Sequence, residues 1–106
     1  MQKNPLCNSW VTVYRRKNGQ IIRFELENCF YQHRDVVTDG RFERKFLFIG
    51  PGEEPICAGD RIYDGIGPEE ICWEEFLPVN VPGLSQVQYA EPYFFLGKLH
   101  HWEAGR

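Results

Sequence analysis

In "WVTVYRRKNGQIIRFEL", near the start of the chain, an Asn18-Gly19 pair separates two runs rich in β-branched and aromatic residues. That pair constrains the fold more than any other feature. A type I′ hairpin turn needs φ > 0 at both central positions, and Asn-Gly supplies this at low steric cost. Trp10 to Tyr14 and Ile21 to Phe24 therefore read as tightly joined antiparallel strands. Seventeen residues, Ile21 to Val37, then pass without a breaker. That is long for one strand, so a bend or bulge is expected within them.

The same device recurs. Asp39-Gly40 reads as a second turn or the tip of a longer loop. Phe46 to Ile49 reads as a short, fully buried strand, stopped by Gly50-Pro51-Gly52. Arg61-Ile62-Tyr63 is a further short strand, and Pro82-Gly83 a further turn. Leu84 to Tyr89 and Tyr93 to Leu96 also read as strand, with a bend at Pro92 if they are one. Pro92 cannot donate to a ladder, so it belongs at an edge or a bulge. A turn at Gly97 folds Leu99–Glu103 back onto Tyr93–Phe95. "PEEICWEEFLP" is open to two readings, a helical turn begun by Pro68 or a strand.

Composition agrees with strands. Aromatics make up 15% of the 106 residues, and there is one Met beside Ala58, Ala90 and Ala104. No window repeats apolar residues at i, i+3, i+4, i+7. The expectation is mostly β: a single domain over 1–106, an antiparallel barrel or sandwich with long loops and at most one short helical turn. No stretch approaches the ~18 apolar residues of a membrane span. No apolar leader opens the chain, so the protein is expected to act where it is made, with Cys7, Cys29, Cys57 and Cys72 reduced. Cys29 and Cys72 lie beside large apolar residues and read as small core residues.

Charge is sorted by segment. Residues 1–50 carry nine basic and five acidic side chains, a balance of +4. Residues 51–78 carry eight acidic side chains against Arg61 alone, a balance of −7, and residues 79–106 are neutral. A nucleic-acid binder should show a basic excess, whereas the net charge is −3. Sorted charge is either a solvated surface or a pair of complementary faces on successive subunits. On the second reading Arg15, Arg16, Lys17, Arg23, Arg41 and Arg44 form the basic side. Glu53, Glu54, Asp60, Asp64, Glu69 and Glu70 form the acidic side, or line a lumen.

Catalytic and cofactor patterns are weak. The Gly65-x-Gly67 step lacks the strand–turn–helix unit and the lysine of a phosphate loop. The Glu69-Glu70 and Glu74-Glu75 pairs resemble a general acid/base set, yet charge runs usually face water. His100 and His101 are adjacent in a strand, which sends them to opposite faces, one against the aromatics and one to solvent. Both could reach one metal only if the strand broke. No cofactor, metal or catalytic set is therefore expected.

The second half, "GDRIYDGIGPEEICWEEFLPVNVPGLSQVQYAEPYFFLGKLHHWEAG", resembles small tailed-bacteriophage proteins described as minor capsid or head–tail connector proteins. The resemblance rests on Gly59 to Ile62, Gly65 to Pro68, Trp73 with Phe76 and Pro78, Val81 to Leu84, and His101 to Gly105, with "CNSWVTVYRR" as the opening strand. It implies a stopper-like head-completion protein, a small β domain in a ring that is often of six copies. A portal or adaptor would sit above, and a tail terminator or tail tube below. Double-stranded DNA would pass through the lumen without sequence-specific contact. Such a protein is assembled in the host cytoplasm and resides in the virion, without membrane or cofactor. A stopper also carries a channel-narrowing loop. Thr38-Asp39-Gly40-Arg41 and residues 50–60 are the candidates. The alternative is a small barrel that binds single-stranded nucleic acid or a protein partner, with Tyr14, Phe24 and Tyr31 available for base stacking.

Overall fold

The computed structural model describes residues 9–106. Cys7 and Asn8, the start of the predicted opening motif, lie outside them. Seven strands form one antiparallel sheet: β1 (Ser9–Lys17), β2 (Gln20–Thr38), β3 (Arg41–Pro51), β4 (Arg61–Asp64), β5 (Leu84–Gln86), β6 (Tyr89–Phe95) and β7 (Lys98–Gly105). The strand order is β5-β4-β1-β2-β3-β7-β6. The described residues contain no helix, and none is long and apolar enough to cross a membrane. The mostly β, antiparallel expectation is met. The barrel alternative is not, because the sheet does not close.

Three two-residue turns build the hairpins. Asn18-Gly19, Asp39-Gly40 and Leu96-Gly97 all hold φ between 52° and 78°, as type I′ geometry demands. Pairing begins immediately on either side, Lys17 with Gln20, Thr38 with Arg41, and Phe95 with Lys98. Pro82-Gly83 also turns as expected, with Gly83 at φ 81°.

The long β2 serves both halves of the sheet. Gln20–Cys29 pairs with β1, and Phe30–Thr38 pairs with β3. Between them the register slips: Ser9 faces Cys29, but Val11 faces Leu26, so Glu27 and Asn28 together oppose Trp10. Asn28 takes φ 60° at this bulge. An extra residue bends the strand and increases its twist. The expected interruption thus lies at Asn28.

The bend turns the two halves toward a common core. Val11 and Val13 of β1, Leu26 and Cys29 of β2, Phe46 and Phe48 of β3, Ile62 of β4 and Ala104 of β7 pack together with Ile56 and Val87. The β5 end of the sheet then meets β2 and β3 through side chains instead of a backbone ladder. Tyr31 on β2 shares a short hydrogen bond with the Ser85 hydroxyl on β5. Arg44 on β3 donates to the carbonyls of Leu84 (2.7 Å) and Val81 (3.0 Å).

Several local readings need correction. Phe46 to Ile49 is not fully buried; Leu47 alternates outward, because the strand runs from Arg41 to Pro51 with one face solvated. Leu84 to Leu96 breaks at Val87-Gln88 instead of Pro92, since β5 pairs with β4 and β6 with β7. Pro92 lies on β6, the edge strand at one end of the order, where its missing N–H costs no ladder bond. Residues 68–78 form no strand. One turn runs from Cys72 to Phe76, where the Phe76 N–H donates to the Cys72 carbonyl (2.9 Å), so Pro68 does not begin it. Cys29 is buried as expected, but Cys72 is exposed, with its Sγ 3.6 Å from Glu74 Oε2.

Candidate functional site

The sorted charge is partly consumed within the chain. Arg15 on β1 donates from Nε to Asp60 Oδ1 (2.9 Å) and from Nη2 to Asp60 Oδ2 (2.8 Å). Asp60 is buried and also accepts from the Cys57 N–H (2.9 Å). Its hydrogen bond to Arg15 holds that guanidinium above its usual pKa, against burial. Arg23 pairs with Glu25 (2.8 Å) and donates to the carbonyls of Gly67 (2.7 Å) and Pro68 (3.0 Å). Arg44 is buried and pairs with Asp35. These contacts clip the 60–68 segment to β1 and β2, and β5 to β3.

Arg16, Lys17, Arg41, Glu53, Glu54, Asp64, Glu69 and Glu70 stay exposed. Arg16 approaches Glu74 only at 3.5 Å, between two exposed side chains. A basic face emerges that the linear sequence did not reveal. Arg34 stands directly opposite Lys45, and Thr38 opposite Arg41. By strand alternation Arg34, Arg41 and Lys45 share the outer face of the β2–β3 hairpin, away from buried Arg44 and Phe46, with a single carboxylate, Glu43, which lies 3.8 Å from Arg106. Like charges directly opposite are unfavourable in isolation. Only the register places Arg34 and Lys45 side by side; in sequence they are eleven positions apart.

The two loop candidates differ. Thr38–Arg41 is an exposed hairpin tip. Residues 50–60 are tied down by buried Ile56 and Asp60 and by the Gly59 N–H on the Val87 carbonyl (2.8 Å). Glu53 and Glu54 project from this anchored loop into solvent.

A groove of about 410 Å³ lies beside β4, lined by Tyr63, Pro68, Ile71, Phe76 and Val81, with Glu70, Cys72 and Glu75 also in its wall. Arg61 fixes that wall. Its Nη1 donates to the carbonyls of Trp73 and, at 2.8 Å, of Phe76. Its guanidinium lies 3.7 Å from the centre of the Trp73 ring. Burial pulls the Arg61 pKa below its usual value, with Glu74 opposing.

The histidine expectation holds in part: His101 lies against an aromatic and His100 is exposed, but the two rings are not sent to opposite faces. Tyr93 faces His101 and Phe94 faces Leu99, so His100 is an extra residue in a bulge. The bulge breaks the alternation that would have separated the rings. His100 Nδ1 and His101 Nδ1 lie 2.8 Å apart, sharing one hydrogen bond. His101 Nε2 is 2.9 Å from Glu103 Oε2, and its ring stacks on Tyr93 at 5.0 Å. Among the described residues no three His, Cys, Asp or Glu side chains gather as a metal site. The stacking set imagined for a nucleic-acid module is not presented to solvent as a group. Tyr14 is buried against Phe76, while Phe24 and Tyr31 pack on the core. Burial pushes the Tyr31 phenol up to about 12.

Compared with family models, curated proteins and solved structures, the chain matches none.

Proposed function

We propose that the protein is a structural component of a tailed-phage head–tail connector, a stopper-like ring that joins portal and adaptor to the tail and retains packaged DNA. The observation that carries the reading is unlike exposed charge on separate elements. Arg34, Arg41 and Lys45 supply the positive charge, on the β2–β3 hairpin. The exposed carboxylates Glu53 and Glu54 on one connecting loop, and Glu69 and Glu70 on another, supply the opposite charge. Unlike patches joined head to tail produce a ring when the rotation closes. Assembly, and not chemistry, is then the protein's work. Acidic side chains left at the lumen would keep DNA from adhering to the wall.

The test is reconstitution. Purified protein is added to portal–adaptor complexes, and the product is imaged by electron microscopy. A ring of repeated copies below the adaptor, and heads that lose DNA when the protein is omitted, are expected. Absence of the protein from such complexes sinks the reading. Micromolar affinity for short single-stranded oligonucleotides at low salt would favour the binding-module alternative instead.

A further inference from the structure

The β6–β7 hairpin ends in three consecutive exposed apolar residues: Phe94 is 65% exposed, Phe95 66% and Leu96 87%. The tip extends past its neighbour. β3 stops at Pro51 opposite His101, so Lys98 and Leu99 have β6 on one side and no strand on the other.

Its turn chemistry is unusual within this same chain. The other two type I′ turns place Asn18 and Asp39 at the first left-handed position, and this one places Leu96 there, at φ 52°. Asn and Asp tolerate that conformation through local hydrogen bonds, whereas an aliphatic side chain is strained in it. Local folding therefore disfavours Leu96, and solvent disfavours it again. Both costs are recovered if the side chain is buried by something outside the monomer.

The groove beside β4 fits that side chain in shape and charge. Its apolar wall of Tyr63, Ile71, Phe76 and Val81 can receive Phe95 and Leu96, and Glu70 and Glu75 can face Lys98. Tip and groove belong to elements near opposite ends of the strand order. We infer that the β6–β7 tip of one copy inserts into the β4 groove of the next, as the apolar part of a head-to-tail contact. The inference rests on the ring reading above and names the contact that would hold the ring. A hairpin tip is small beside the roughly 800 Å² per partner of a stable interface. It therefore acts together with the charged faces and not in place of them.

Cys72, exposed in the groove wall, allows a direct test. In a background with Cys7 and Cys57 changed to Ser, Leu96→Cys is oxidised mildly during assembly on portal–adaptor complexes. Disulfide-linked ladders of several copies are expected, and they should vanish with Cys72→Ser. Leu96→Asn should leave the monomer folded and weaken self-association about tenfold to a hundredfold, the range for burying a leucine. Mixing Leu96→Asn with the groove variant Ile71→Glu should give pairs but no longer chains, since each copy keeps one working half. Circular dichroism confirms that both variants fold.

Rings that form unchanged with Leu96→Asn, or Leu96→Cys that links only to itself, overturn the tip-in-groove contact while leaving the connector reading intact. A chain that never associates, alone or on portal complexes, overturns both.

Discussion

Arg44 stands opposite Asp35 across the β2–β3 ladder, and the two side chains meet at two points, Nε to Oδ1 at 2.7 Å and Nη2 to Oδ2 at 3.3 Å. Asp35 is 46% exposed at its side chain, whereas Arg44 is 6% exposed. The pair is thus lopsided: the carboxylate orients the guanidinium, and the guanidinium holds β5. Arg44→Ala would strand the carbonyls of Val81 and Leu84, each at about 1–3 kcal/mol when left unsatisfied in the interior. A loss of about 2–4 kcal/mol in urea unfolding is expected, and Asp35→Asn should cost clearly less.

The same pair sets an acid limit. The Arg44 hydrogen bond lowers the Asp35 pKa below the usual carboxylate value. A depressed folded-state pKa contributes stability above the unfolded value of about 3.9, and that stability is lost as pH falls through the folded value. Stability should therefore decline below about pH 4 in the parent, and the Asp35 share of that decline should disappear in Asp35→Asn. Chemical denaturation across the acid range checks this. Identical pH slopes in the two proteins would refute the assignment.

Thr12 is a second clip, of neutral chemistry. Its buried hydroxyl donates to the Gly65 carbonyl (2.8 Å) and accepts from the Gly67 N–H (2.9 Å). Thr12→Val preserves the shape and removes both bonds, which should cost about 2–4 kcal/mol. Thr12→Ser keeps the hydroxyl and should recover most of that loss. Parent-like stability in Thr12→Val together with a loss in Thr12→Ser would show that the methyl group matters and the hydrogen bonds do not.

What could be read from the sequence was what local chemistry decides. Asn18-Gly19, Asp39-Gly40 and Pro82-Gly83 announce their turns because only a few residue types accept those dihedrals. The bulge at Asn28 could be anticipated from strand length but not placed, since its position depends on how β1 aligns with β2. The bulge at His100 left no local trace at all, and missing it separated two rings that in fact touch. The charged blocks were visible as blocks. Their internal cancellation was not, because Arg15 and Asp60 are 45 residues apart and meet only when β1 packs beside the loop before β4. Arg34 and Lys45 were overlooked for the same reason. For the hairpin tip a signal did exist: Phe94-Phe95-Leu96 before Gly97 puts apolar residues where a turn is normally polar.

Arg61 should matter for the groove more than for the core. It fixes the Trp73 and Phe76 carbonyls and lies against the Trp73 ring. Lysine cannot reproduce both the stacked plane and the forked donors. Arg61→Lys should loosen the 72–76 turn, shift Trp73 fluorescence toward the red and accelerate amide exchange there, while β1 and β2 stay protected. Uniform loss of protection throughout the sheet would mean that Arg61 supports the global fold instead.

The outer face of the β2–β3 hairpin makes two opposed predictions. Arg34 opposite Lys45 is a repulsive cross-strand pair in the monomer. Lys45→Glu converts it to an attractive one, which should stabilise the isolated chain by about 0.5 kcal/mol. If this face meets the carboxylates of the next copy, the same change introduces repulsion across the contact, so assembly should weaken although the monomer is firmer. Added salt should loosen parent rings, because exposed charge pairs are screened beyond the Debye length of about 8–10 Å. The variant should start weaker and respond less. Thermal unfolding of the monomer and sedimentation at two salt concentrations separate the two effects. A variant that gains stability and assembles like the parent at both concentrations would remove Lys45 from the interface.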